Sequence, residues 1–318
     1  MKYYNPNLKG KLMKTKIIIP GSIMADITGY AKHLPIGGES AFGELLRTSP
    51  GGKGSNQMIA AHRAGAEALL IGCTGNDGQA AMVTEFYNAE GIPTKYVRRG
   101  AESFTGTALI EVDTTTAQNR ILVVPGANLC VSKDDVINAS CDIANCDIVL
   151  AQLEIPDEPI LESAKLAKAN GKTFILNPAP YRVFPDELFP LIDYFTPNET
   201  EAEYFSGVHI ESVEDASYAA KVLIQKGIKN VIITLGSKGA FYSNGEKELF
   251  VPSFKVEAVE TTGAGDSFNG AFAVAIGEGM DVERAMRFAN AAAGISVTRY
   301  GTAQSMATRD EIEELLNR

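Results

Sequence analysis

The chain has 318 residues, 45% of them hydrophobic and 21% charged, which provides for a substantial core and suits one large α/β domain carrying a smaller appendage. A net charge of −10 argues against a nucleic-acid partner, because surfaces that bind a phosphate backbone are basic and no Lys/Arg cluster here is dense enough to make one. Cys73, Cys130, Cys141 and Cys146 are too few and too irregularly spaced for a disulfide framework or a paired-cysteine metal site, and no apolar run approaches bilayer length, so free thiols in a reducing cytosol and no membrane partner are expected.

The first residues, MKYYNPNLKGKLMKT, have no apolar core of the signal-peptide type, and residues 1–14 are expected to be a poorly ordered extension. Lys16–Pro20 (KIIIP) is a short β-branched run read as a buried strand. Leu69–Cys73, Ile148–Gln152, Thr173–Asn177, Tyr194–Thr196 and Asn230–Thr234 read the same way. Helix-like stretches lie between several of them, at Gly54–Ala64, Gln79–Glu90, Pro159–Asn170 and Ala216–Lys226. This alternation predicts a mainly parallel sheet flanked by helices on both faces. Later, Phe241–Ser243 and Glu248–Val251 flank Asn244-Gly245, a hairpin signal. Helices follow at about Gly265–Gly277, Val282–Val297 and Arg309–Leu316.

Two stretches break the rhythm. Residues 28–50, and residues 94–124 with their Thr105–Val112 and Arg120–Val124 runs, read as antiparallel strands. The economical arrangement is a main α/β domain of residues 15–27, 51–93 and 125–318, with a small β-sheet lid made from 28–50 and 94–124.

The chemistry concentrates in Glu260-Thr-Thr-Gly-Ala-Gly-Asp266, where a glycine turn opens a helix. Such a turn is an anion site, because unpaired N–H groups and the helix dipole point outward from it. A carboxylate there has two readings, an N-cap for the helix or a base that accepts the proton of an attacking hydroxyl. An Asp that only caps does not need Gly-Ala-Gly before it, so the base is the stronger reading. Thr196-Pro-Asn-Glu-Thr-Glu201 puts Asn198 and Glu201 on one face of a first helical turn. A carboxylate beside an amide suits Mg²⁺-bound water around phosphates, but the same spacing makes an ordinary capping box, and alone the capping box wins. Thr234-Leu235-Gly236-Ser237-Lys238-Gly239 follows a strand, where α/β sheets bind nucleotides; a plain glycine turn is about as good a reading.

At the other end, Pro50-Gly51-Gly52-Lys53-Gly54-Ser55-Asn56 precedes a helix, and Gly21-Ser-Ile-Met24-Ala25-Asp26 follows the first strand. Exposed N–H groups, an amide and carboxylates such as Asp26 and Glu154 are the groups that recognise polyol hydroxyls. Individually each charge reads as a solvated strand end; together, at one sheet edge, they describe a polar pocket. The chain has no GxxxxGK[ST] loop, no GxGxxG opening a first βα turn, and His33, His62 and His209 are not paired for a metal.

Taken together, Gly51–Asn56, Asn-Pro-Ala-Pro (177–180), Thr196–Glu203, Thr234–Gly239 and Gly263–Asp266 resemble the ribokinase (PfkB-type) family of sugar and nucleoside kinases over residues 16–316. The resemblance implies a Rossmann-like domain with a β lid that often pairs in a homodimer, and transfer of the ATP γ-phosphate to a sugar hydroxyl, for ribose the 5-hydroxyl. It casts Asp266 as the base and Gly263, Ala264 and Gly265 as the anion hole. Asn198 and Glu201 become the Asn-x-x-Glu element that organises Mg²⁺ and phosphate. Thr234–Gly239 and Asn290 become nucleotide contacts, with Gly265 and Asp266 beside them. Met24, Ala25, Asp26, Gly52, Lys53, Gly54, Ser55, Asn56 and Glu154 fall where ribose binds. A potassium site is implied near Glu260, Thr262, Ser296, Arg299, Gly301 and Ser305, several acting through carbonyls; Glu260 stands where the family's usual residue is Asp. Met24 stands where many bacterial ribokinases have Asn and some ribokinases and 2-deoxyribose kinases have Met, and a thioether cannot replace the amide's bonds to a hydroxyl. Kinases of fructose or a nucleoside, and a non-catalytic sugar or nucleotide sensor, are the competing readings.

Overall fold

The apolar runs Lys16–Pro20, Ile148–Ala151 and Thr173–Leu176 expose no residue fully, as strands covered on both faces must, and they lie side by side in a parallel sheet. The computed structural model describes residues 14–116 and 118–318, so the expectation for the N-terminal extension falls, up to residue 13, outside the described residues. In chain order the first elements are β1 (Lys16–Pro20), β2 (Met24–Ala31), β3 (Leu45–Gly51), α1 (Lys53–Arg63), β4 (Glu67–Thr74), α2 (Gly78–Glu90), β5 (Val97–Arg99), β6 (Gly106–Asp113) and β7 (Asn119–Val124). Next come α3 (Lys133–Asn138), α4 (Ser140–Ala144), β8 (Ile148–Ala151), α5 (Asp157–Ala169), β9 (Thr173–Leu176), β10 (Tyr194–Phe195), α6 (Glu199–Ser206) and α7 (Val213–Gln225). The chain closes with β11 (Asn230–Thr234), β12 (Gly239–Ser243), β13 (Glu248–Pro252), α8 (Ala264–Gly277), α9 (Val282–Ser296) and α10 (Arg309–Leu316).

Among the described residues the main sheet runs β13-β12-β11-β10-β9-β8-β1-β4-β5, parallel throughout except for the antiparallel β11–β12–β13 edge. Alternate residues of each strand serve opposite cores: Ile17 and Ile19 join the cluster under α1, α2, α8, α9 and α10, whereas Ile18 joins the one under α3 to α7. The strands step outward from β1 through β4 to β5, and the chain then returns to start again at β8 on the other side of β1. That reversal opens a crevice at the carboxyl ends of β1 and β8, where α/β sheets bind ligands.

A second sheet, β3-β2-β6-β7, stands apart from the first. Antiparallel β2–β3 and β6–β7 pairs are joined by a parallel β2–β6 ladder. Its membership differs from the sequence boundaries at three places, the first being Gly51, which closes β3 opposite Met24. The β2–β6 ladder begins at Met24↔Gly106, so Met24–Ile27 belong to the lid, and β5 pairs with β4 through Gly72↔Val97, so Val97–Arg99 belong to the main sheet. The short helices α3 and α4 have no counterpart in the sequence reading, although Ser132 and Asp135 form a capping box at the start of α3.

One close approach positions the site. An ideal Cβ on Gly270 would come within 2.6 Å of Gln57 O and of Ala60 Cβ, so α8 can rest on α1 only with glycine there. Asp266 lies one turn before Gly270 on the same face, which brings it against the start of α1. Among the described residues no helix is long and apolar enough to cross a membrane, and all four cysteines are free.

Candidate active site

The glycine turn before α8 ends at Gly263, the N-cap, in a left-handed conformation with φ 82°, and no side chain caps the helix. An ideal Cβ on Gly265 would meet nothing within 4 Å, so the space in front of the first turn is open. Ala264 N–H donates to Thr261 O at 3.2 Å, so of the expected anion-hole groups it is already paired, while the free N–H groups of Gly265 and Asp266 and the positive end of the dipole fit an anion. Asp266 is not the cap. It sits three residues inside the helix, only 6% exposed, and its two oxygens accept from Asn56 Nδ2 at 3.0 Å and from Gln57 Nε2 at 2.9 Å.

Gln57 is one member of a buried amide relay. Its Nε2 also donates to Asn177 Oδ1 at 3.0 Å, and its Oε1 accepts from Gln152 Nε2 at 2.7 Å. Asn177 Nδ2 in turn donates to Thr196 O at 2.9 Å. On the far side of the cleft, Thr196 Oγ1 donates to Asn269 Oδ1, and Asn269 Nδ2 to Gly265 O, which ties the glycine turn to β10. Sequence reasoning named Asn177 only within a family motif and missed Gln57, Gln152 and Asn269. A glutamine or asparagine inside an apolar helix face or strand end was the available signal.

Lys53, at the start of α1, is half-buried and lines the same cleft as Asp266 and Glu201. Burial alone would lower its ammonium, but the Asp266, Glu154 and Glu201 carboxylates outweigh burial and hold it above the usual lysine range. Its backbone N–H donates to Glu154 Oε2 at 2.8 Å, the oxygen that also accepts from Ser22 Oγ at 2.5 Å. Gly54 packs so tightly on the β1–β2 turn that a Cβ would lie 2.5 Å from Ser22 N, and Gly52 adopts φ 86°. These two glycines let α1 begin directly over the crevice. Ser55 departs from its expected place at the pocket: it is fully buried, and its Oγ accepts from Tyr87 Oη at 2.7 Å, facing α2.

Met24, Ala25 and Asp26 open β2, all buried. Asp26 fills the space a side chain on Gly51 would need, since a Cβ there would be 2.1 Å from Asp26 Oδ1. Burial pushes the Asp26 carboxyl up to about 6; the Thr302 hydroxyl, donating at 3.1 Å, opposes this, while Glu154, Asp266 and Glu260 reinforce it. Thr302 was not anticipated, and nothing in its local sequence marks it.

At α6 the capping box is realised in full: Asn198 Oδ1 accepts from Glu201 N at 2.8 Å, and Glu201 Oε2 from Asn198 N at 2.9 Å. Both side chains nevertheless line the cleft with Thr234, Gly263 and Gly265. Burial raises the Glu201 carboxyl, against the Asn198 N–H and the Lys53 charge. Among the described residues no cluster of three His, Cys, Asp or Glu side chains could cage a metal. The donor set fits Mg²⁺ in its hydrated form, with a buried carboxylate and an amide beside the anion site and the remaining ligands from water and phosphate.

The other expected contacts are dispersed. Thr234 pairs with Asn198 in a β-bridge at the cleft, but Leu235 is buried in the core, Ser237 O accepts from Ser253 Oγ, and Lys238 Nζ donates to Glu211 O at 2.9 Å. A Cβ on Gly239 would lie 2.2 Å from Val251 O, so Gly239 serves the hairpin, and Gly236 takes φ 52° in the turn before it. Asn290 Nδ2 donates to Val251 O and Pro252 O, bracing β13 against α9. Of the implied potassium residues, Glu260 Oε2 accepts from Gly301 N at 2.9 Å, Arg299 pairs with Glu311, and the Ser296 and Ser305 hydroxyls donate to Ala293 O and Thr302 O. Thr262 is half-buried in the turn before α8. These side chains do not converge into a cage, so a monovalent cation there would have to rely on backbone carbonyl oxygens.

Comparison with known proteins bears on the family and the fold. The model for the pfkB family carbohydrate kinases matches residues 14–309. A ribokinase from Haemophilus influenzae is 40% identical over 304 residues, 96% of this chain and 99% of that one. A deoxyribokinase from Salmonella typhimurium is 35% identical over 302 residues, 95% of this chain and 98% of that one. The solved structure of Arabidopsis thaliana ribokinase complexed with ribose and ATP superposes with a TM-score of 0.88 at 34% identity, covering 96% of this chain and 100% of that chain. With the fold, the motifs and nearly the whole length in common, the chain belongs to the pfkB family of carbohydrate kinases.

Proposed function

We propose that the protein is an ATP-dependent kinase of ribose and 2-deoxyribose, phosphorylating the 5-hydroxyl with Asp266 as the base. The observation that carries this reading is the Asp266 carboxylate, held by Asn56 and Gln57 rather than spent on capping, beside an open and uncapped helix N-terminus. The sugar hydroxyls meet Asp26, Asn56, Glu154 and the Lys53 turn, with Met24 against the ring. The 5-hydroxyl gives its proton to Asp266 as its oxygen bonds to the γ-phosphorus; the bond from that phosphorus to the β–γ bridging oxygen breaks, and ADP leaves. Positioning and charge stabilisation do most of the work in such a transfer, with a modest contribution from the base. The N–H groups of Gly263, Gly265 and Asp266 hold the developing charge, and Lys53 stands within reach of the same region. Mg²⁺, when bound with the nucleotide near Asn198 and Glu201, neutralises phosphate charge. Thr234 and the turn after it border the nucleotide side, and the free thiols suit a reducing cytosol.

Two further parts of this reading concern the cation and the assembly. Potassium would act through backbone carbonyl oxygens, steadying the turn that precedes α8. The lid presents apolar side chains to solvent, with Leu46 66%, Leu122 61% and Leu109 43% exposed on one face of its sheet, a surface suited to a second lid in a homodimer. An ADP-release assay over ribose, 2-deoxyribose, fructose and adenosine, with K⁺ or Na⁺, tests the activity. Turnover led by the two pentoses and raised by K⁺ is expected; turnover led by fructose or adenosine, or none at all, contradicts the reading. Light scattering on Leu122→Asp tests the assembly, with a dimer expected for the wild type and a monomer for the variant.

A further inference from the structure

We infer that Gln57 is a positioning residue for Asp266, with its amide locked in one direction by the relay through Asn177 and Gln152. The inference rests on the reading of Asp266 as the base.

The two ends of an amide differ only in which one donates, so its direction is set by neighbours that have no choice. Thr196 O can only accept, which turns the NH₂ of Asn177 toward it and presents Asn177 Oδ1 to Gln57. The Asp266 carboxylate presents a second acceptor to the same end of Gln57. Both hydrogens of Gln57 Nε2 are therefore committed, and Oε1 must face away, where Gln152 Nε2 meets it. A flipped Gln57 would set its oxygen against two acceptors and its NH₂ against another NH₂. Asp266 thus rests on an amide that cannot turn, and with Asn56 holding the other oxygen its plane is fixed.

The far end of the relay shows that this arrangement is not simply the best-satisfied packing. Gln57 and Gln152 are fully buried, and Gln152 Oε1 has no hydrogen-bond partner. The orphan lies under the β1–β2 turn, 2.5 Å from where a Cβ on Gly21 would stand. A buried acceptor without a donor is unfavourable, and Asn56 Oδ1, on the amide that donates to Asp266, is likewise without a partner; at both Asn56 and Gln152 the NH₂ end is the one committed toward the carboxylate or toward the amide that holds it.

Gln57→Leu and Gln152→Leu, with Asp266→Asn in parallel, test this through the separate kcat and KM of steady-state kinetics and through melting temperatures. For Q57L the expected result is a kcat lowered roughly 10–100-fold, because the carboxylate is free to move off line. The KM for ribose should stay within about threefold, since the loss falls on alignment in the transition state and not on sugar binding. Q152L should show the same signature at roughly a third to a tenth of the size, and it decides the matter if Q57L does not fold. Unchanged kcat, at any melting temperature, or a rise in sugar KM alone, overturns the inference. If D266N is inactive while Q57L behaves as wild type, only the relay role fails; if D266N turns over normally, the base reading itself has failed.

Discussion

The starts of α6 and α8 are built on the same plan and end differently. Each has a carboxylate three residues after its N-cap, Glu201 after Asn198 and Asp266 after Gly263. In α6 the cap has a side chain, and the longer Glu reaches back to the Asn198 N–H, so the helix end satisfies itself. In α8 the cap is a left-handed glycine with nothing to offer, and the shorter Asp turns to α1 instead. The residue at the cap, more than the carboxylate, decides whether a helix N-terminus is closed by its own chain or left open for a phosphate. Sequence alone ranked these two sites in the same order, and the hydrogen bonds supply the reason.

The largest break in the comparison is Asp266→Asn. It should lower kcat by roughly 10²–10⁴-fold with sugar KM little changed and melting temperature within a few degrees, because Asp266 contributes no cap. Next is Glu201→Gln, which keeps the capping acceptor and removes the charge. It should leave stability within about 0.5 kcal/mol, lower kcat roughly 10-fold and raise the Mg²⁺ concentration needed for half-maximal rate. Asn198→Ala should instead cost about 1 kcal/mol of stability, seen as a lower denaturant midpoint.

Asp26 sharpens the same contrast at the sugar end. Its folded value of about 6 lies above the ordinary 3.8, so between these values the folded chain holds a proton that the unfolded chain has released. Stability from this group therefore falls as pH rises through that window and is lowest above it, by about 3 kcal/mol at most. Asp26→Asn should raise the melting temperature at pH 7.5 more than at pH 4 and raise the KM for ribose about 10-fold. In the wild type, kcat/KM for ribose should decline as pH drops below about 6, because protonated Asp26 accepts fewer hydroxyl bonds. The smallest effect belongs to Met24→Asn. An added amide contact worth about 1 kcal/mol should shift competing kcat/KM values toward ribose over 2-deoxyribose about fivefold.

Much of this was legible in the chain. Buried strands announced themselves as β-branched runs, the Asn244-Gly245 hairpin as a turn signal, and the site as a glycine turn running into a helix. What escaped depends on tertiary neighbours. Gln57 reads as one polar residue on an amphipathic helix until Gly270 lets α8 settle on α1. Thr302 matters only because its loop folds back onto Asp26, 276 residues away in sequence. β5 is too short to show a period, and its partner β4 precedes it by a whole helix. The nucleotide and cation residues were assigned by motif position, which says nothing of where a side chain points; Asn290, Lys238 and Arg299 point to backbone or acidic partners of their own.

The most direct measurement of the central claim is the ³¹P and ¹³C NMR spectrum of the product formed from ribose and ATP by the purified protein. Phosphorus coupled to C5 of ribose, formed by the wild type and reduced at least a hundredfold in rate by Asp266→Asn, is the result the account predicts. Phosphorylation at C1, or ribose 5-phosphate formed at an undiminished rate by Asp266→Asn, would contradict it.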